Sequence, residues 1–494
     1  MRLRSTLGLV VLLAALCAAY WGMQHLNFRR AAQAQQGKLL FQFKPEAVLG
    51  LTIRQVNGVP VAAERDAGEP WRMTAPNATI RPLQILWNRV AEKFAGVNNE
   101  RTVAASPGDL KQYGLDVPQL VVEARVDGAG PVKFLAGDVE PTQRYRYARL
   151  NDGPLFLIST DTFFELNRSL EELRHRFVVD DRDAAINDVQ FAWIWTGDPA
   201  QTSDRPVPEN PPQVGEESTV IRVTRDNPQS PWRMVAPIAA AADQEAVDAF
   251  VKEVQFATGR DFVDKPENLA DYGLKPARAR ITVVDDRSKK AQNILIGRME
   301  EKGEKGGVYL QRAGQDAVFQ VDGQLWTLLP KTPLQWRERR LLTRRVSDVN
   351  RIEFHGKADA FTLAKDDKGE WKLEAPDLQQ VNQFAVSGYL AVFKELLGES
   401  FAVGQPADFG LDNPETTIDL RYDDGATAQI RVNPSAKEQG LYYVTQDTGA
   451  IVTLKGVSAD ALLAKSETFR SRELLRFNKA DATRMELQFE NLGM

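Results

Sequence analysis

The sequence is poor in the residues that carry chemistry. Its one cysteine, Cys17, sits in an apolar run at the amino terminus, so the folded part can offer neither an internal disulfide nor a thiolate metal cluster. Its three histidines, His25, His175 and His355, stand far apart. The familiar catalytic and phosphate-binding motifs are missing. No glycine-rich loop leads into Lys-Ser or Lys-Thr, and there is no His-Glu-x-x-His, Gly-x-Ser-x-Gly or dinucleotide fingerprint. Charge of one sign is lacking too. Lys and Arg number 62 against 67 Asp and Glu, well mixed, with a net charge of -5, which leaves no basic footprint for nucleic acid. The expectation is a protein without cofactor, metal or catalytic set, and not an enzyme.

A hydrophobic run from Leu7 to Met23 follows Arg2 and Arg4 and carries Tyr20 and Trp21 near its end. Basic flank, apolar stretch and aromatic exit are the marks of an export signal or a short membrane anchor, and about 17 residues is the lower limit for a span. No small-x-small site directly follows the run, which favours an uncleaved signal-anchor over residues 1–28; cleavage after Ala34 is the alternative. Lipid attachment at Cys17 is weaker, because Leu16 stands where such signals want a small residue. Arg2 and Arg4 are set against Arg29, Arg30 and Lys38. The reading taken is amino terminus inside, with the chain from about residue 30 outside the cytoplasm.

What the sequence does have is one passage said three times. Trp71-Arg72-Met73-Thr74-Ala75-Pro76 returns as Trp232-Arg233-Met234-Val235-Ala236-Pro237 and as Trp371-Lys372-Leu373-Glu374-Ala375-Pro376. Trp, Met or Leu, and Ala alternate with their neighbours as in a strand with one buried face, and Pro ends it by removing a donor. An internal repeat decides the fold before any single element does, and 494 residues allow about three domains. An amphipathic helix follows each copy, marked by Leu83, Leu86, Val90 and Phe94, by Val247, Phe250, Val251 and Val254, and by Val386, Leu390, Phe393 and Leu397. A short turn then closes at Gly114, Gly273 or Gly410, each followed by Leu, which predicts a left-handed glycine in a Schellman cap. Four alternating segments with short connections come next, an antiparallel meander. A second helix ends each copy, Phe163 to Leu173 in the first.

These landmarks predict an α+β fold, three tandem modules of antiparallel sheet plus helices behind the amino-terminal anchor. The modules span 37–180, 181–342 and 343–476. A Pro-rich insertion at 198–217 reads as a mobile loop and explains why Trp71 and Trp232 are further apart than Trp232 and Trp371. Residues 477–494 are either a closing strand or the start of a truncated fourth module.

Arg-x-Arg pairs recur at the module exits: Arg174 and Arg176, Arg337 and Arg339, Arg470 and Arg472. Arg forks bind carboxylate or phosphate, so these are the candidate anion contacts. Their repetition favours a clamp between modules, with Arg capping helix-end carbonyls or pairing with a neighbour's carboxylate. Trp71, Trp232 and Trp371 could stack on a sugar if exposed, but the Met or Leu and Ala on the same face favour the core. With Pro76, Pro237, Pro376 and the three glycines they are structural landmarks. Neither His175 nor His355 has a counterpart in the other modules, which argues against catalysis. The run Glu300 to Gly307 is a solvated hairpin tip whose carboxylates lack an EF-hand order.

On the Trp-x-Met/Leu-x-Ala-Pro and Tyr/Phe-Gly-Leu landmarks the chain resembles an uncharacterised bacterial domain family of membrane-anchored envelope proteins, in three copies from about residue 40 to 476. The resemblance implies association with gliding-motility-type ABC transporter subunits and carries over no catalytic residue. The third copy departs in lacking the strand-ending glycine that Gly137 and Gly297 supply. The expected function is a non-enzymatic accessory or scaffold of an ABC-type transporter complex, single-pass in the bacterial inner membrane with its bulk in the periplasm. Its expected partners are the membrane, through the amino-terminal helix, and the transporter's permease or auxiliary subunits. The alternative is an envelope protein that binds glycan or lipid.

Overall fold

The computed structural model describes residues 38–197, 212–300, 306–377 and 379–471, with Trp21, Arg484 and Glu486 besides. The anchor expected at 1–28, apart from Trp21, lies outside the described residues. So do 198–211 of the insertion, Arg472 and nearly all of 477–494. Among the described residues no helix is long and apolar enough to cross a membrane. The chain divides into two compact units: residues 1–203, 207–220 and 249–329 form one, and 204–206, 221–248 and 330–494 the other.

In the first unit β1 (Val48–Gln55), β2 (Val61–Glu64), β3 (Arg72–Ala75), β4 (Arg101–Ala104), β5 (Leu120–Val126), β6 (Val132–Val139), β7 (Tyr145–Leu150) and β8 (Leu155–Ser159) form a sheet in the order β3-β2-β1-β5-β6-β7-β8-β4. Every pairing in it is antiparallel. The central strand β5 shows why the chain settles this way: Leu120, Val122, Ala124 and Val126 are buried while Glu123 and Arg125 face outward, the period-2 pattern of a sheet with one apolar face. Helix α1 (Gln84–Ala95), between β3 and β4 in sequence, buries Trp87, Val90, Ala91 and Phe94 in the same core. It has no side-chain cap at its start. Its docked face supplies roughly 1.5–3 kcal/mol per large apolar side chain, more than the about 1 kcal/mol of a cap.

The other two sheets keep this order, each with one more short strand beyond the Trp strand, Ala240–Ala241 in the middle sheet and Gln379–Gln380 in the third. Their helices are Gln244–Phe256 and Gln383–Glu395. The chain thus holds three antiparallel sheets of one topology, an α+β fold in three repeats.

Several elements differ from the reading of the sequence. A strand such as β2 stands between each repeat's opening strand and its Trp strand, and β4 adds an outer edge against β8. Leu83 stands before α1 instead of within it, and Trp87 takes the central place on its buried face. Leu397 lies beyond its helix, which ends at Glu395; Leu396 is already extended, Leu397 pairs with Arg340, and Tyr389 fills the core in its stead. The single helix expected from Phe163 to Leu173 is two, α2 (Thr160–Leu166) and α3 (Leu170–Leu173). Ser169 separates them by starting α3 with a capping box to Glu172. Of the insertion, Gly215 and Glu216 are hydrogen-bonded to Trp195, and a strand begins at Glu217.

Gly114, Gly273 and Gly410 lie at φ 64°, 66° and 70°. At each turn the glycine N–H bonds back three residues and the next leucine N–H bonds back five, as from Leu115 to Leu110, Leu274 to Leu269 and Leu411 to Pro406. These are three Schellman caps. The turn then presses its last carbonyl onto the strand beneath: a Cβ on Gly137 would collide with the Tyr113 oxygen, and one on Gly297 with the Tyr272 oxygen. In the third repeat Asn433 replaces that glycine, and its Nδ2 donates to the equivalent Phe409 carbonyl at 3.0 Å. Close approach in two repeats is exchanged for a hydrogen bond in the third.

Candidate functional site

The repeated landmarks were the first candidates. Trp71, Trp232 and Trp371 are 2%, 1% and 5% exposed, so no ring is free to stack on a ligand. Each is held from both sides of its peptide unit by a glutamine at the first position of the following helix. Trp71 N–H donates to Gln84 Oε1 at 2.8 Å and Gln84 Nε2 donates to Trp71 O at 2.9 Å; Gln244 and Gln383 do the same for Trp232 and Trp371. Sequence reasoning missed this clasp, although a Gln recurs 13, 12 and 12 residues after the three Trp. A cation covers each ring: Arg65 at 4.5 Å, Arg225 at 4.3 Å and Lys365 at 5.3 Å. Pro76, Pro237 and Pro376 each follow a cis peptide bond at the end of the Trp strand.

The Arg pairs lie on the straps that run from one repeat into the next. Arg174 is buried, pairs with Asp264 and, at 3.4 Å, with Glu171, and lies 3.7 Å over the Phe262 ring. Phe262 belongs to the strand Arg260–Val263, the second repeat's counterpart of β4. Arg337 occupies the matching place on the second strap, 3.2 Å over the ring of Phe401 on the third repeat's edge strand. Arg176 and Arg339 act through their backbones, whose carbonyls accept from Gly259 and Gly398 at 2.7 and 2.8 Å. Arg470 is exposed and bridges to Val381, as Arg174 does to Pro82 and Arg337 to Ala242. Arg472 lies outside the described residues. Arg174 and Arg337 are therefore set where one repeat meets the edge strand of the next.

A polar cluster fixes the first strap. Arg312 donates through Nη2 to Phe177 O and through Nε to Val178 O at 3.2 Å, and its Nη2 lies 3.3 Å from His175 Nδ1. Burial holds Arg312 down to about 10, still charged at neutral pH, while burial and then the Arg312 and Arg81 charges hold His175 down to about 4. On the second strap Gln446 stands where Arg312 does and donates to Glu338 O at 3.0 Å and Arg340 O at 2.6 Å. The buried Glu338 carboxylate accepts from Arg340 N at 2.8 Å, and burial pushes its pKa up. His355, by contrast, is an exposed strand residue 3.9 Å from Glu353. No group of His, Cys, Asp and Glu able to hold a metal occurs among the described residues.

A further concavity lies away from the straps. A hollow of about 570 Å³ opens on the outer face of the first sheet, floored by Gly50, Thr52 and Ala62 and rimmed by Glu64, Glu123, Arg125 and Lys133. The register explains it. Gly50 faces Arg125 beyond a bulge in β1 as Arg351 faces Arg421 in the third sheet. There Arg351 spreads over the sheet to Glu353 and Glu374, both at 2.6 Å. Glycine and threonine in the first repeat leave that space open.

Comparison with curated proteins and with solved structures gives no match. A family described as Domain of unknown function (DUF4340) matches three times, at residues 71–205, 232–407 and 371–493. Each match starts at a landmark Trp, and together they leave out only 1–70, 206–231 and 494. The chain therefore belongs to that family, with three copies of its domain in tandem.

Proposed function

We propose that the protein is a membrane-anchored, non-enzymatic accessory or scaffold of an ABC-type transporter complex, held by its amino-terminal segment in the bacterial inner membrane with the three repeats in the periplasm. The observation that carries the reading is where the repeated residues go. Trp, Gln, Gly and the strap arginines are engaged in packing and in joining repeats, the economy of a scaffold. The basic, apolar and aromatic order of residues 2–23 supports the anchor. Affinity purification of the full chain from detergent-solubilised membranes tests it: a transporter permease or auxiliary subunit should co-purify in fixed ratio, and a protein that runs alone ends the proposal.

The hollow over Gly50 favours a second reading, an envelope glycan- or lipid-binding protein. Gly50→Arg, which restores the side chain the third repeat carries at that register, should then abolish binding to isolated cell wall or to lipid vesicles while leaving the melting temperature unchanged. Binding that survives Gly50→Arg removes the hollow from consideration.

A further inference from the structure

We propose that the strap joining the first two repeats, Arg174–Val179, is an acid-released latch whose trigger is His175. The neutral ring is part of the fastening. His175 is 8% exposed, and its Nε2 lies 3.2 Å from Asp180 O. A carbonyl can only accept, so Nε2 carries the proton and Nδ1 presents a lone pair to Arg312 Nη2. Arg312 thus has three acceptors on the strap: Phe177 O, Val178 O and this imidazole nitrogen. A second proton on His175 would turn Nδ1 into a donor facing a donor and add a charge beside a buried guanidinium.

The surroundings do not absorb that charge. Arg312 faces the ring from the strand Gly307–Arg312, and Arg81 from the loop before α1. On the strap itself Arg174 is committed to Asp264, and just beyond it Asp180 is committed to Arg81. The Phe177 ring closes the remaining side, edge-on at 5.6 Å. Among the described residues Asp180 is the one anion acting on the imidazole, and the two arginines outweigh it.

The sign follows from linkage. A histidine held near 4 when latched and near its ordinary 6.5 when released stabilises the latch above 6.5, and that contribution is lost as pH falls from 6.5 towards 4. At about pH 5 the ratio of released to latched strap should rise about 20-fold over its neutral value. The second strap, Arg337–Leu342, has no such base. Glu338 takes the place of His175 and Gln446 that of Arg312, and a carboxyl raised by burial gains its proton more readily in place than when released. Acid therefore loosens one strap and spares the other.

Hydrogen exchange of the full chain tests this, at neutral pH and at about pH 5, with rates corrected for intrinsic exchange. Protection over 174–179 and 307–312 should fall by about 20-fold, with that over 337–342 retained. His175→Gln, whose amide can donate to Asp180 O and accept from Arg312, should cancel the fall. Equal protection at both pH values, an equal fall in both straps, or a fall that persists in His175→Gln each overturns the latch. Independently of any variant, the ring protons of His175 should titrate below about pH 5; a midpoint near the 6.5 of an ordinary histidine overturns it as well.

Discussion

Trp232 meets its surroundings in three ways. Its ring is buried, its indole N–H donates to Asp248 at 2.8 Å, and Arg225 covers one face. Trp232→Ala should cost roughly 3–5 kcal/mol, and Trp232→Phe about 1–2 kcal/mol, the share of the lost indole hydrogen bond and the smaller ring. Urea denaturation measures both, and a change within about 0.5 kcal/mol for the alanine variant would contradict the packing described. The same scale holds a sharper contrast at Gly137 and Asn433. Alanine at 137 should cost about 1–3 kcal/mol by collision with the Tyr113 carbonyl. Alanine at 433 has room but abandons the bonds to Phe409 O and from Glu415 N, at about 1–2 kcal/mol. If the two losses have these different origins, Asn433→Gly should be no better than Asn433→Ala, and denaturation midpoints will show it.

Among the elements, the two straps differ in how they hold. Arg174 combines a buried ion pair with ring contact, so Arg174→Ala strands Asp264 and should lower stability by about 3 kcal/mol. Arg337→Ala removes the cover of Phe401 and should cost about 1 kcal/mol. Thermal melts of the two variants in the same buffer compare them directly; equal losses would mean that the Asp264 pair adds nothing. It is also among the elements that the sequence was most and least legible. Alternation in Trp71–Ala75 and in Leu120–Val126, and helical spacing in Val247, Phe250, Val251 and Val254, are local signals of a buried face, and those elements stand where the signals put them. β4 gives no such signal, because Arg101–Val103 are exposed and the strand pairs, with an irregularity at Val103, with β8 far along the chain. The placing of β1 against β5 is likewise settled by a pairing that no window of sequence contains. At the straps the arginines were visible as a repeat, while Arg312 and Gln446 were not, since they act on strap carbonyls far along the chain and differ in residue type between the two repeats.

For the molecule as a whole, the repeat in sequence and the repeat in space are out of phase. The family domain begins at Trp71, Trp232 and Trp371, whereas each sheet begins two strands earlier, and β1 lies between β2 and β5 in its middle. Anyone cutting the gene at the boundaries of the family domain would obtain a polypeptide without its own β1 and β2 and burdened with a strand, Ile186–Ile194, that belongs to the next sheet. Such a fragment, 71–205, exposes the length of β5 as an unpaired edge and should aggregate, while 38–179 retains all eight strands and should stay monomeric in size-exclusion chromatography; the reverse outcome would contradict the strand order. A duplication that copied the stretch from Trp to Trp would then have handed every new copy its first two strands from the copy before, so that the array could lengthen only by growing on an existing sheet, never by adding a free-standing domain.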